Sequence, residues 1–341
     1  MGEILNFDIL NKTRDLELLK KVEPSKDILF IHCLGFKSFT DYAPFLKKMS
    51  GLEIKPESFK GAEHLFSWKK NILHYNHNNF DKLVNLSGGL GLQLQFHLPY
   101  RKIENRTLYA SNPQDHDALT NVIEEYAQVI DHYNLQKPRG KVNLTMHPPE
   151  IIDHNNLNSL ESALAITNEF YIKLGEKIVS EGWPVTIGLE NMPDPKINNY
   201  LIDALGYTPE HFTKMLKDTN DSIQLTVDSG HRLINSNIRV RDLVTWCSDQ
   251  NKYITNFHFH VNKGIDEERT KAGKSCDLHS LAVPNELHGF TMYILRAVTE
   301  NIPLNLEIKA KKHSPEDLSF YVNGMLGSIN DIYKEVRGQL S

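Results

Sequence analysis

Gln224-Leu-Thr-Val-Asp-Ser-Gly-His231 is a short apolar run with β-branched residues that ends on an aspartate, with a histidine three residues further on. A buried strand reads this way when it delivers a carboxylate at its C-terminal tip and a second polar side chain from the loop beyond. The same construction recurs along the chain. Ile28–Leu34, Leu52–Lys55, Leu92–His97, Lys141–His147, Val185–Glu190, Ile254–His260 and Leu304–Lys309 are all short apolar or alternating runs. Proline cuts off the runs after His97, His147 and Asn191, as expected where a ladder must stop.

Between these runs lie segments of helical period. Residues 40–49, 116–133, 159–181 and 239–250 read as helices, and Ser314-Pro-Glu-Asp317 opens a final one with an N-cap, a proline and first-turn acids. In the second of these, Leu119, Val122, Ile123, Tyr126, Val129, Ile130 and Tyr133 form one stripe. Gly182 is placed to turn the chain at the end of the third. The stretch before residue 80 is poorly patterned. Eight strands alternating with helix-length segments close most economically as an α/β (β/α)8 TIM barrel. The expected organisation is a single TIM-barrel domain over 1–341, with residues 1–25 as an N-terminal extension of uncertain structure. A doubly wound sheet is the runner-up, but Gly88-Gly-Leu-Gly91 precedes a strand, where a phosphate-binding turn would follow one.

A net charge of −5 over 341 residues gives no global basic field for nucleic acid. Three isolated cysteines, Cys33, Cys247 and Cys276, form no CxxC pair and fit a reducing compartment. With no long apolar stretch and no basic leader, the expectation is a cytoplasmic protein with no membrane contact and no obligate protein partner.

The 16 histidines are the unusual figure. Six strands end on or near a metal-competent side chain: His97, His147, Glu190, Asp228, His260 and Glu307. In a barrel these tips meet on one face. The loops add His231, Asp277 and His279. A lone histidine or strand-end aspartate is ordinarily a core residue or a cap, but the whole set calls for a cation to pair its charges. Imidazole plus carboxylate without thiolate suits Zn, Mn, Fe or Co. The set exceeds the coordination of one ion, so two or three divalent ions sharing a carboxylate are expected, able to activate water and clamp a phosphoryl group. His258 shares a face with His260; it reads by default as a core histidine, with a partner standing behind the ligands as the alternative.

These motifs resemble the xylose isomerase-like TIM-barrel superfamily, and most of all the endonuclease IV family of apurinic/apyrimidinic endonucleases. The resemblance rests on His97-Leu-Pro-Tyr100, His147-Pro148, Leu189-Glu-Asn191, Asp228-Ser-Gly-His231, His260-Val-Asn262, Asp277-Leu-His279 and Leu306-Glu307, in the family's order. It implies a zinc cluster in which His97, His147 and Glu190 hold one ion. Glu190 would bridge to a second, held by Asp228, His260 and Glu307. His231, Asp277 and His279 would hold a third. Glu190 and Glu307 would flank the activated water as catalytic residues, with Tyr100, Asn191 and Asn262 at the substrate, abasic-site DNA or a small molecule. The chain departs from the family after Asp277-Leu-His279, where Ser280-Leu-Ala-Val-Pro284 replaces a glycine-rich run. The segment Lys263–Lys274 mixes Arg269, Lys271 and Lys274 with Asp266, Glu267 and Glu268, and reads as a solvated loop.

Three other functions compete with the hydrolase. A sugar isomerase or epimerase of the same superfamily would need one ion on Glu190, Asp228, His260 and Glu307, with the two glutamates moving a proton. A multinuclear iron oxygenase would use similar ligands. A binding protein with a degenerate site would not need the set intact.

Overall fold

The computed structural model describes residues 29–32, 46–47, 49–55, 65–69, 72–98, 108–137, 140–151, 157–193, 203–233, 253–262, 266, 268–269, 272, 276–280, 297, 300–307 and 314–339. Eight parallel strands form a closed barrel: β1 (Leu29–His32), β2 (Gly51–Ile54), β3 (Gln93–His97), β4 (Val142–Met146), β5 (Val185–Glu190), β6 (Ile223–Asp228), β7 (Ile254–Phe259) and β8 (Leu304–Leu306). Each pairs with its sequence neighbours, and β8 closes on β1 through Leu29 opposite Leu304. All eight expected strands are present, within a few residues of the boundaries read from the sequence. Strand alternation sorts the side chains. Leu52, Ile54, Leu94, Phe96, Leu144, Leu225, Val227, Phe257 and Phe259 are buried in the apolar core. The intervening residues Glu53, Gln95, Asn143, Thr145, Thr226, Asn256, His258 and Asn305 are buried and polar. They meet across the barrel: Asn256 of β7 donates to Glu53 of β2 at 3.2 Å, and Thr145 of β4 donates to the same carboxylate at 2.6 Å. The barrel interior is therefore a hydrogen-bonded polar column, and the apolar core is the layer between strands and helices.

Helix α2 (His116–His132) buries Leu119, Val122, Ile123, Tyr126, Val129 and Ile130, the expected stripe. Helix α3 (Leu157–Ser180) ends where Gly182 takes φ +65, so that the Trp183 amide reaches back to the Ile178 carbonyl at 3.0 Å. Helix α6 (Pro315–Gln339) starts on a reciprocal cap: the Asp317 amide donates to Ser314 Oγ at 3.0 Å and the Ser314 amide to the Asp317 carboxylate at 3.2 Å. Two elements fall in the stretch that carried no readable pattern. One is an antiparallel ribbon of Phe66–Lys69 with Ile72–Tyr75. The other is helix α1 (His77–Leu90), capped by Asn76, which accepts the Asn79 amide at 3.3 Å. Residues 1–25, the segment 239–250, Tyr100 and residues 281–284 lie outside the described residues, as does most of 40–49 and of 263–274. Two short helices, α4 (Pro209–Met215) and α5 (Ser229–Leu233), follow β5 and β6. Among the described residues no helix is long and apolar enough to cross a membrane.

Candidate metal centre

All nine candidate ligands read from the sequence come together at the ends of the strands and in the loops just beyond. Four groups of donor atoms lie within 4.8 Å of one another: His97, His147 and Glu190; Glu190, Asp228, His258 and Glu307; Asp228, His231 and His260; and His260, Asp277 and His279. Glu190, Asp228 and His260 each belong to two groups, so the four are one continuous cluster.

In the first group His97 Nε2 lies 3.4 Å from Glu190 Oε2 and 3.1 Å from His147 Nε2, and His147 Nε2 lies 3.0 Å from the same carboxylate oxygen. His97 Nδ1 donates to the Leu98 carbonyl at 2.8 Å. Burial, aided by the charge of Lys55, lowers the His97 pKa to about 4, so the ring is neutral and Nε2 carries a lone pair. A lone pair and an acceptor-only carboxylate then face each other in a buried site. A cation satisfies both. Tetrahedral zinc with bonds of about 2.0–2.1 Å sets its ligand atoms about 3.3 Å apart, and the triangle of 3.0–3.4 Å fits that face.

The same construction is repeated twice. His231 Nδ1 donates to the Asn191 carbonyl at 2.7 Å and turns Nε2 to Asp277 Oδ2 at 3.5 Å. His279 Nδ1 donates to the Glu307 carbonyl at 3.2 Å and presents Nε2 to Asp277 Oδ2 at 2.8 Å. Backbone acceptors that fix one ring nitrogen and free the other are the usual support of metal-ligating histidines. His279 does so at φ +47, in the left-handed region that histidine visits more readily than most residues.

The charges are balanced against burial. Burial raises a carboxylate pKa, yet His258 and His147 hold Glu190 well below the usual range. Asp277 is held low in the same way by His279 and His231. For Asp228 burial prevails and its pKa is raised. Burial opposes protonation of His231, His258 and His279, but the surrounding carboxylates raise all three.

Loop β6–α5 explains its glycine. A Cβ on Gly230 would lie 2.0 Å from His260 Cε1, so only glycine lets that ring reach Asp228 Oδ2 at 3.1 Å. Asn191 and Asn262, expected at the substrate, are buried and hydrogen-bond to the loops that carry the candidate ligands. Asn191 accepts the Asp228 amide at 2.6 Å and donates to its carbonyl at 3.0 Å. Asn262 donates to the Gly230 carbonyl at 2.8 Å and to Asp277 Oδ1 at 3.0 Å, and accepts the Leu278 amide at 2.7 Å. Two residues escaped the sequence reading. His258, taken as a core histidine, lies among Glu190, Glu307 and Asp228. Glu53, a lone acid in the apolar strand β2, lies beneath it. Its only sequence signal is the inward parity it shares with the other polar strand residues.

No family model matches the sequence, and no curated protein matches it. Solved structures do. A D-tagatose 3-epimerase-like protein superposes with a TM-score of 0.65 at 18% identity over 90% of this chain and 99% of its own. A xylose isomerase domain protein from Alicyclobacillus acidocaldarius gives 0.54 at 10% identity, over 89% and 98%. A 3-keto-D-glucoside 4-epimerase from E. coli gives 0.52 at 13% identity, over 88% and 99%. The chain shares the TIM-barrel fold of these structures. At these identities the likeness defines the fold and leaves the chemistry to the site.

Proposed function

We propose that this protein is a metal-dependent hydrolase of phosphodiesters, with abasic-site DNA as the leading substrate class. The observation that carries this reading is the division of the donors into linked groups rather than one. An enzyme with a single ion would leave His97, His147, His231, Asp277 and His279 converged without a task. Divalent ions in such a cluster polarise a phosphoryl oxygen, lower the pKa of water and stabilise both oxygens of an in-line displacement. The chain's own residues set the geometry. Glu190 presents one carboxylate oxygen to His97 and His147 and the other to His258, which supports a bridging role between groups. Glu307 approaches the same His258 nitrogen at 3.2 Å and would offer the second carboxylate beside an activated water. Asn191 and Asn262 keep Asp228 and Asp277 from shifting as charge changes.

A second reading has its own support. Two of the structural neighbours are named as epimerases or epimerase-like, and none of the three reported carries a nuclease activity in its name. Glu190, Asp228, His258 and Glu307 by themselves would serve a one-ion sugar isomerase or epimerase, the two glutamates exchanging a proton with the substrate carbon. The neighbours, at 10–18% identity, favour this reading, and the extent of the ligand set supports the hydrolase.

The test is to offer the zinc-loaded protein a duplex with one abasic site and, in parallel, a panel of ketoses and aldoses. Strand cleavage beside the abasic site that is lost in Glu190→Gln supports the hydrolase. Sugar interconversion without cleavage overturns it in favour of the isomerase.

A further inference from the structure

We propose that His258 is itself a ligand of the central ion, and that Glu53 is the positioning residue that fixes which of its nitrogens binds. The inference rests on the barrel mouth being a metal centre and adds a ligand that none of the motifs above assigns.

His258 Nδ1 lies 3.0 Å from Glu190 Oε1, 3.2 Å from Glu307 Oε2 and 3.9 Å from Asp228 Oδ2. An octahedral ion with bonds of about 2.1 Å spaces neighbouring ligand atoms about 3.0 Å apart and opposite ones about 4.2 Å apart. The three distances are compatible with that spacing, and the four donor atoms all lie within 4.8 Å of one another, close enough to share one ion. His260 Nε2 lies 3.1 Å from Asp228 Oδ2, 3.9 Å from Asp277 Oδ1 and 4.0 Å from Glu307 Oε2, between the central group and that of Asp277 and His279. His258 would therefore add a second imidazole at the central position.

The other face of the ring carries the second half of the argument. His258 Nε2 lies 2.7 Å from Glu53 Oε2. With a cation held between Nδ1 and its carboxylates, the ring proton would stay on Nε2, toward the acceptor-only carboxylate of Glu53. Glu53 is fully buried and is itself fixed by Thr145, Asn256 and Asn305 from three other strands. A carboxylate behind a histidine behind a metal orients the ring and raises its basicity. That arrangement also gives the buried charge of Glu53 a purpose that barrel packing alone does not.

The test is nuclear magnetic resonance of the full chain, labelled with 15N-histidine and loaded with 113Cd2+. The expected result is a one-bond 113Cd–15N coupling at the Nδ1 of His258, together with couplings at His97, His147, His231, His260 and His279. His258→Gln loses one cadmium resonance. Glu53→Gln keeps the stoichiometry but weakens binding of that ion by about 10–100-fold. A wild-type protein that binds cadmium at the other histidines with no coupling at His258 overturns this inference and leaves the metal centre standing. A wild-type protein that binds no cadmium overturns both. If His258→Gln does not fold, the wild-type coupling decides.

Discussion

Replacing Gly230 by alanine tests the site geometry through a single methyl group. The new Cβ would meet His260 Cε1 at 2.0 Å, Nδ1 at 2.2 Å and Nε2 at 2.5 Å. Ordinary carbon contacts begin near 3.4 Å, so ring and loop must separate by about 1.4 Å. The ring has nowhere to go. It is fully buried, bound to Asp228, and its backbone amide and carbonyl both pair with Ser229 Oγ. Overpacking of this kind costs about 1–3 kcal/mol of stability. A displacement near 1 Å at a catalytic ligand costs about 100-fold in rate. The matched control is Gly89→Ala, on an exposed turn of α1 where nothing lies within 4 Å of the added carbon; it should gain about 0.5–1 kcal/mol from helix propensity. Urea unfolding gives both stabilities, and abasic-site cleavage with metal content per chain gives the functional loss. A Gly230→Ala protein as stable, active and metal-replete as wild type would refute the close approach of loop and ring.

Other substitutions probe other links. Glu190→Gln should abolish activity and lower metal content with little change in fold, since it removes the bridging charge; retained turnover, measured with content by elemental analysis, would take Glu190 out of the bridge. His279→Ala should release one ion while the others remain, and an unchanged count per chain would show that the group with Asp277 does not bind. His211 gives a pH signature away from the metal: burial lowers its pKa to about 4, and its Nδ1 accepts the Gly206 amide at 3.1 Å. A depressed histidine contributes stability that is complete above the unfolded pKa of 6.5 and lost as pH falls toward 4, because only the unfolded chain takes the proton. The span corresponds to about 3 kcal/mol, so wild type should lose more stability than His211→Gln between pH 7 and pH 4.5 in urea titrations; parallel losses would show that the buried neutral ring is not the cause.

The barrel was legible because the strands are short runs, three of them with a hard stop: Pro99, Pro148–Pro149 and Pro193 mark ends from which candidate ligands project. The ligands were legible because a histidine or acid at such an end has few uses other than capping or coordination. What escaped was not at strand ends. Helix α1 carries Gly88 and Gly89 and buries only Asn79, Phe80, Leu83 and Ser87, so its apolar period is faint. Glu53 and His258 lie one layer inside the barrel, where short strands read as apolar and inward polarity shows only by parity. Asn191 and Asn262 follow ligands in sequence, which suggested the substrate; their amides fasten the strand tips and loops. Local pattern locates the donors, and only packing reveals which side chains hold them.

The most direct measurement is elemental analysis of the purified full-length protein, metal by metal and per chain, with loss and recovery of activity on chelation and zinc addition. Two or three ions per chain, mostly zinc, whose removal abolishes strand cleavage, is the expected result. A single tightly held ion, or none, would contradict the multinuclear centre and leave His231, Asp277 and His279 unexplained.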